Sequence, residues 1–179
     1  MTKFPAESAI IGRLLTGYTD LELDLLHAVH NATGDFDGAL KRMFGARGET
    51  RRINTAVKLG RPSYVALGLE ADFDGAVDAM RHCLSIRNQY AHHTFWNDNT
   101  GKLAIGALED VARQPGPFRD LADVQVEHVD CPLLQEQERY FRFTDALLAW
   151  VNYEGRRLTG KVNVTPPKPA PMSPPKLHL

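Results

Sequence analysis

Through the first ninety or so positions, apolar residues recur at steps of three and four, the spacing of one helix face. The pattern predicts a helix over about 5–15, with Pro5 near its start and Gly17 just past its end. A second is expected from Thr19, because Thr19 and Glu22 form a T-x-x-E capping box. Leu21, Leu25, Ala28 and Val29 give that helix a stripe, and the polar 31–34 segment stops it. Shorter helices follow over about 36–44 and 51–59, the latter broken by Gly60-Arg61-Pro62. A central helix is expected from about 71 to 91 or 92. Phe73, Val77, Met80, Leu84 and Ala91 share one of its faces, and Arg87 falls on the same stripe.

After His93 the period changes. Asn97-Asp98-Asn99-Thr100-Gly101 is turn chemistry, and 102–108 and 124–129 read as short strands joined through Gln114-Pro115-Gly116-Pro117. Together they predict a small β-hairpin-like insertion over about 101–130. A long helix over 132–158 then buries Leu133, Leu134, Tyr140, Phe141, Leu147, Leu148 and Val151. The proline-rich 165–179 segment cannot sustain a helix interior or a central strand. It is expected as a disordered, flexible tail in polyproline-like conformations, dispensable for folding. The expected organisation is therefore a mainly α domain over 1–160 followed by that tail.

A chain of 179 residues, 43% hydrophobic and 24% charged, suits one domain with its own core. A formal charge of −1 argues against a non-specific nucleic-acid coat. Any affinity for RNA must come from a local patch, and Lys41, Arg42, Arg47, Arg51, Arg52, Lys58 and Arg61, opposed within that stretch only by Glu49, offer one. Such a run is also what a solvated face looks like. Cys83 and Cys131 lack a CxxC spacing and are expected reduced, Cys83 as packing. No signal-peptide pattern or bilayer-length apolar run occurs, so a cytoplasmic protein without membrane partners is expected.

The candidate chemistry lies in Arg87-Asn88-Gln89-Tyr90-Ala91-His92, at the end of the central helix. Cleaving RNA without a metal needs a base for the ribose 2′-hydroxyl and a cation for the charge developing on phosphorus. Histidine titrates near neutrality and can move the proton. Arginine, planar and permanently charged, can hold two phosphate oxygens. Asn88 can orient the phosphate or the imidazole. At 100° per residue, Arg87 and His92 lie about 140° apart around a straight helix. Either the helix ends early and His92 swings inward, or the site is composite across two subunits.

Arg87-Asn88-x-x-Ala91-His92 resembles the Arg-x4-His signature of HEPN-domain proteins. The resemblance implies a HEPN-like helical bundle built on two long helices, and extends over about 19–158. It further implies a metal-independent endoribonuclease, acting by 2′-hydroxyl attack as a homodimer, in a defence or toxin–antitoxin setting. Arg87, His92 and Asn88 would be catalytic, and no cofactor or metal is called for. An antitoxin or nucleotidyltransferase partner also fits that family. The strand pair departs from its plainest all-helical pattern. Tyr90, His93, Trp96, Arg51 and Arg52 are the candidate RNA-binding residues.

Each has a structural alternative. Arg87 can pair with an acid of the last helix such as Asp145, and His92 can simply favour the helix dipole. Tyr90 can be packing, while His93 and Trp96 can close the helix end against the core. The competing function is a catalytically silent helical dimer that binds a protein or nucleotide. Asp24, His27 and His30 have helical spacing, but exposed helix polars explain them better than a metal. No Walker loop, G-x-S-x-G elbow or CxxC pair is present.

Overall fold

A computed structural model describes residues 3–179 apart from 114, 116, 118, 119, 121–123 and 125. Helices α1 (Pro5–Thr33), α2 (Phe36–Phe44), α3 (Glu49–Ala66) and α4 (Glu70–His92) come first. They are followed by β1 (Thr94–Trp96), β2 (Leu103–Gly106), the short α5 (Leu108–Val111), β3 (Glu127–Val129) and α6 (Cys131–Leu158). The protein is thus mainly helical with a small antiparallel sheet, ordered β1-β2-β3.

The two helices expected over 5–15 and from Thr19 are one. Leu14, Tyr18, Leu21, Leu25 and Val29 form a continuous buried row across Gly17. An interior glycine costs only about 1 kcal/mol relative to alanine, which burial of such a row exceeds. The capping box does not form: the Thr19 hydroxyl bonds back to the Thr16 carbonyl at 2.6 Å. The helix instead ends at Gly34, which takes φ 72°.

Likewise, Gly60-Arg61-Pro62 does not end α3, which continues to Ala66. Tertiary contacts on both sides of Pro62 hold the last turns. Arg61 grips Asp74 with Nε and Nη2, both at 3.0 Å, and also bonds Glu70. Ser63 and Tyr64 donate to the carbonyls of Ala32 and Ala28 at 2.8 and 3.1 Å. Asp35 and Asp130 cap α2 and α6 by accepting from Gly38 and Leu133.

Helices α1, α3, α4 and α6 surround the core, with α2 packed on α1 and α3. Glu7–Cys131, Arg13–Glu138 and Asn31–Asn152 contacts set α1 and α6 running the same way. Cys83–Thr144 and Tyr90–Gln137 set α4 against the direction of α6. Every residue expected on the α6 stripe is buried. On α4, Phe73, Val77, Met80 and Leu84 are buried but Ala91 is exposed, the buried positions of the last turn being Gln89 and Tyr90.

The hairpin-like insertion takes the form of β2 and β3, paired Leu103 with Val129 and Ile105 with Glu127. The expected strand over 102–108 stops at Gly106, and α5 begins at Leu108. An unexpected third strand, β1, pairs Thr94 with Gly106 and Trp96 with Ala104. The joining loop includes 114 and 116 and lies partly outside the described residues. The Asn97–Gly101 turn forms as read: Asn97 and Asp98 accept from the backbone two residues on, and Asn99 and Gly101 take positive φ.

The 165–179 segment contains no helix or strand, as its prolines require. It is not a detached tail, however. Lys168 bonds Asp72 at 2.5 Å and sits over the Trp150 ring, Met172 and Leu177 pack on the core, and Pro175 is buried. Proline excludes regular structure, but it does not prevent docking through carbonyls and apolar side chains.

Candidate functional site

α4 stays helical through His92, and His93 turns the chain extended with ψ 149°. His92 therefore does not swing inward; it remains exposed on the last turn, where its ring faces an open cleft. Helix spacing places Ser85, Asn88, Gln89 and His92 along one side of that cleft, with His93 beside them. Glu127 of β3 and Leu177 and His178 of the carboxy-terminal segment line the rest. The cleft holds about 420 Å³. Nδ1 of His93 is buried without a hydrogen-bond partner among the described residues. Nε2 of His178 lies 3.1 Å from a Glu127 oxygen.

Arg87 is not among the residues lining this cleft. Its guanidinium turns toward α3, 3.4 Å from Glu49, and another of its nitrogens donates to Asn88 Oδ1 at 3.0 Å. The side chain is 26% exposed, so the charge on the apolar stripe is paired and partly solvated. Its acid is Glu49, not Asp145, because the stripe at Arg87 faces α3. Asp145 instead lies beside Asp24. Near Arg87 and Glu49 lies the buried Tyr18, whose phenol is pushed up by burial and then by Glu22 and Glu49. Asn88 thus joins two surroundings: it bonds Arg87 on one side and lines the cleft with His92 on the other.

Other expected RNA-binding residues have different places. Tyr90 is a core residue, 2% exposed, with its hydroxyl donating to Gln137 at 2.6 Å. Burial pushes that phenol upward, and no face remains for a base. Trp96 packs over Gly106, where an added Cβ would meet the indole at 2.8 Å. Arg52 is occupied by both oxygens of Glu22, at 3.0 and 3.2 Å, and lies over Phe44. Lys41, Arg42 and Arg61 of the basic run also have acidic partners, leaving Arg47, Arg51 and Lys58 exposed. The patch is largely neutralised from outside its own stretch of sequence.

Comparison with known proteins adds no relative. No family model, curated protein or solved structure matches the chain. The site therefore rests on its own geometry.

Among the described residues, no group of three or more His, Cys, Asp or Glu is arranged to hold a metal, and His30 packs edge-on to Phe36. No helix of the described residues is long and apolar enough to cross a membrane. Cys83 is buried against Thr144, its thiol pushed up to about 12 by burial, and Cys131 donates to Glu7 at 3.2 Å. Neither thiol is set up as a nucleophile. Ser85, Gln89, Glu127, Leu177 and His178 were not expected at the site. No local signal marked the last two, because three residues are too few for an alternation to be read and their partners are distant in sequence.

Proposed function

We propose that this protein is a metal-independent endoribonuclease of the HEPN type. The observation that carries the reading is the open cleft at the end of α4, lined by Asn88, His92 and His93 of the motif region. An exposed imidazole in an open cleft can reach a ribose hydroxyl, and an amide beside it can orient the phosphate. Arg87 contributes through Asn88 and as a nearby positive charge. The proposed homodimer brings two copies of the motif together, which answers the angular separation of Arg87 and His92 along α4. A defence or toxin–antitoxin setting, with an antitoxin or nucleotidyltransferase as partner, belongs to the same proposal.

The Arg87–Glu49 ion pair favours a second reading, a catalytically silent helical dimer that binds a protein or nucleotide. Cleavage of mixed RNA in EDTA separates the two. The ribonuclease reading expects wild-type cleavage leaving 2′,3′-cyclic phosphate ends, and a loss on the order of a hundredfold in His92→Ala. Light scattering at micromolar concentration is expected to give a dimer. Absence of cleavage puts the silent module in front, whereas cleavage that requires magnesium, or full activity in His92→Ala, overturns the metal-independent mechanism through His92.

A further inference from the structure

Buried amides hold the carboxy-terminal segment against the cleft. Gln137 is fully buried; its Oε1 accepts from Tyr90, and its Nε2 donates to the carbonyls of Lys176 and Leu177 at 2.8 and 3.0 Å. Nε2 of Gln89, itself 7% exposed, donates to the same Leu177 carbonyl at 2.9 Å. Before this anchor, His82 donates to the Pro175 carbonyl at 2.8 Å; after it, the Leu179 amide donates to His128 of β3 at 3.0 Å. Between the anchors stands His178, with Glu127 beside its ring. The segment forms a wall of the cleft and leaves it open.

We propose that His178 is the second proton-transfer residue of the RNA cleft, working with His92; this rests on the ribonuclease reading above. Cleavage by the neighbouring hydroxyl involves two proton movements. The 2′-hydroxyl loses its proton as the O2′–P bond forms, and the 5′ oxygen gains one as the P–O5′ bond breaks. The products are a 2′,3′-cyclic phosphate and a 5′-hydroxyl, with no net proton consumed. Attacking and leaving oxygens lie on opposite sides of phosphorus, so two groups serve them better than one. His92 comes from the α4 side, and His178 comes from the side formed by β3 and the carboxy-terminal segment. The Glu127 carboxylate lies 3.1 Å from Nε2 of His178, close enough to pair with the charged imidazole and to bias its orientation.

The test is the pH dependence of RNA cleavage in EDTA by the full chain, comparing wild type, His92→Ala, His178→Ala and Glu127→Gln. His178→Ala is expected to lower the rate on the order of a hundredfold and to remove one limb of a bell-shaped profile. Its melting temperature should stay near that of wild type, since the side chain is 41% exposed. Glu127→Gln is expected to lose less, about tenfold, and to move the same limb. Wild-type rate and profile in His178→Ala, with His92→Ala inactive, overturns this proposal alone. A lowered rate that keeps both limbs overturns it too, because that is the mark of a merely structural side chain. A wild-type protein that cleaves no RNA overturns the ribonuclease reading and this proposal with it.

Discussion

Asp24 on α1 lies beside Asp145 on α6, and its carboxyl is held up to about 7 by burial, then by Asp145 and Asp20. Between the ordinary carboxylate range near pH 4 and about pH 7, the folded state therefore binds a proton that the unfolded chain has released. Stability from this contact is present at low pH and is lost as pH rises through about 7. An asparagine at position 24 keeps a donor beside Asp145 without having to lose a proton. Asp24→Asn is expected to raise the melting temperature at pH 8 by about 2–4 °C, roughly 1 kcal/mol once solvent screening is allowed for. At pH 5 it should change little. Thermal melts at the two pH values check this, and an equal gain at both would mean the Asp24 proton is not the cause. Single residues also show where sequence reading reaches its limit. Asn88, His92 and His93 can be picked out by residue type and spacing and do line one cleft, whereas Arg87 turns away to Glu49. Tyr90 and Trp96 could not be placed, because an aromatic side chain suits a base platform or a core equally until its neighbours are known.

At the scale of elements, local signals were overruled where a helix is buried along its length. Pro62 lies inside α3 and is exposed, so its ring contributes little packing while the helix lacks its amide donor. Pro62→Ala is expected to stabilise the protein by about 1–3 kcal/mol, part of the helix-interior penalty of proline being offset by the freer unfolded chain. Urea denaturation should show a higher midpoint with an unchanged slope. A loss of stability would mean that Pro62 shapes the turn presenting Arg61 to Asp74. The small sheet shows the converse, a case in which local chemistry prevailed. Asp98 bonds Thr100 within its own turn and accepts from His128 of β3 at 2.7 Å. Thr100 first, then His128, holds its carboxyl down to about 2. β1 escaped notice because three residues are too few for an alternation to be read.

For the whole molecule, the chief consequence is that the carboxy-terminal segment belongs to the folded unit. Met172, Pro175 and Leu177 bring apolar surface to the bundle, and Gln89 and Gln137 direct their amides at its carbonyls. Deleting 165–179 is expected to lower the melting temperature by about 4–8 °C, corresponding to roughly 2 kcal/mol of partial apolar burial. An unchanged melting temperature would show that the segment is bound too weakly to matter for stability. The sequence by itself determined the helical class, the long α4 and α6 with their buried stripes, the turn at Asn97–Gly101 and the position of the Arg87–His92 segment, because periodicity and turn chemistry are local properties. Tertiary structure alone decided that α1 passes Gly17 and α3 passes Pro62, since the burial that outweighs those penalties comes from other helices. It also decided that Arg87 turns to Glu49 while His92 opens on a cleft with Glu127 and His178. No short window of sequence contains those partners, which are brought together by the direction in which each helix runs and by the docking of a proline-rich segment far along the chain.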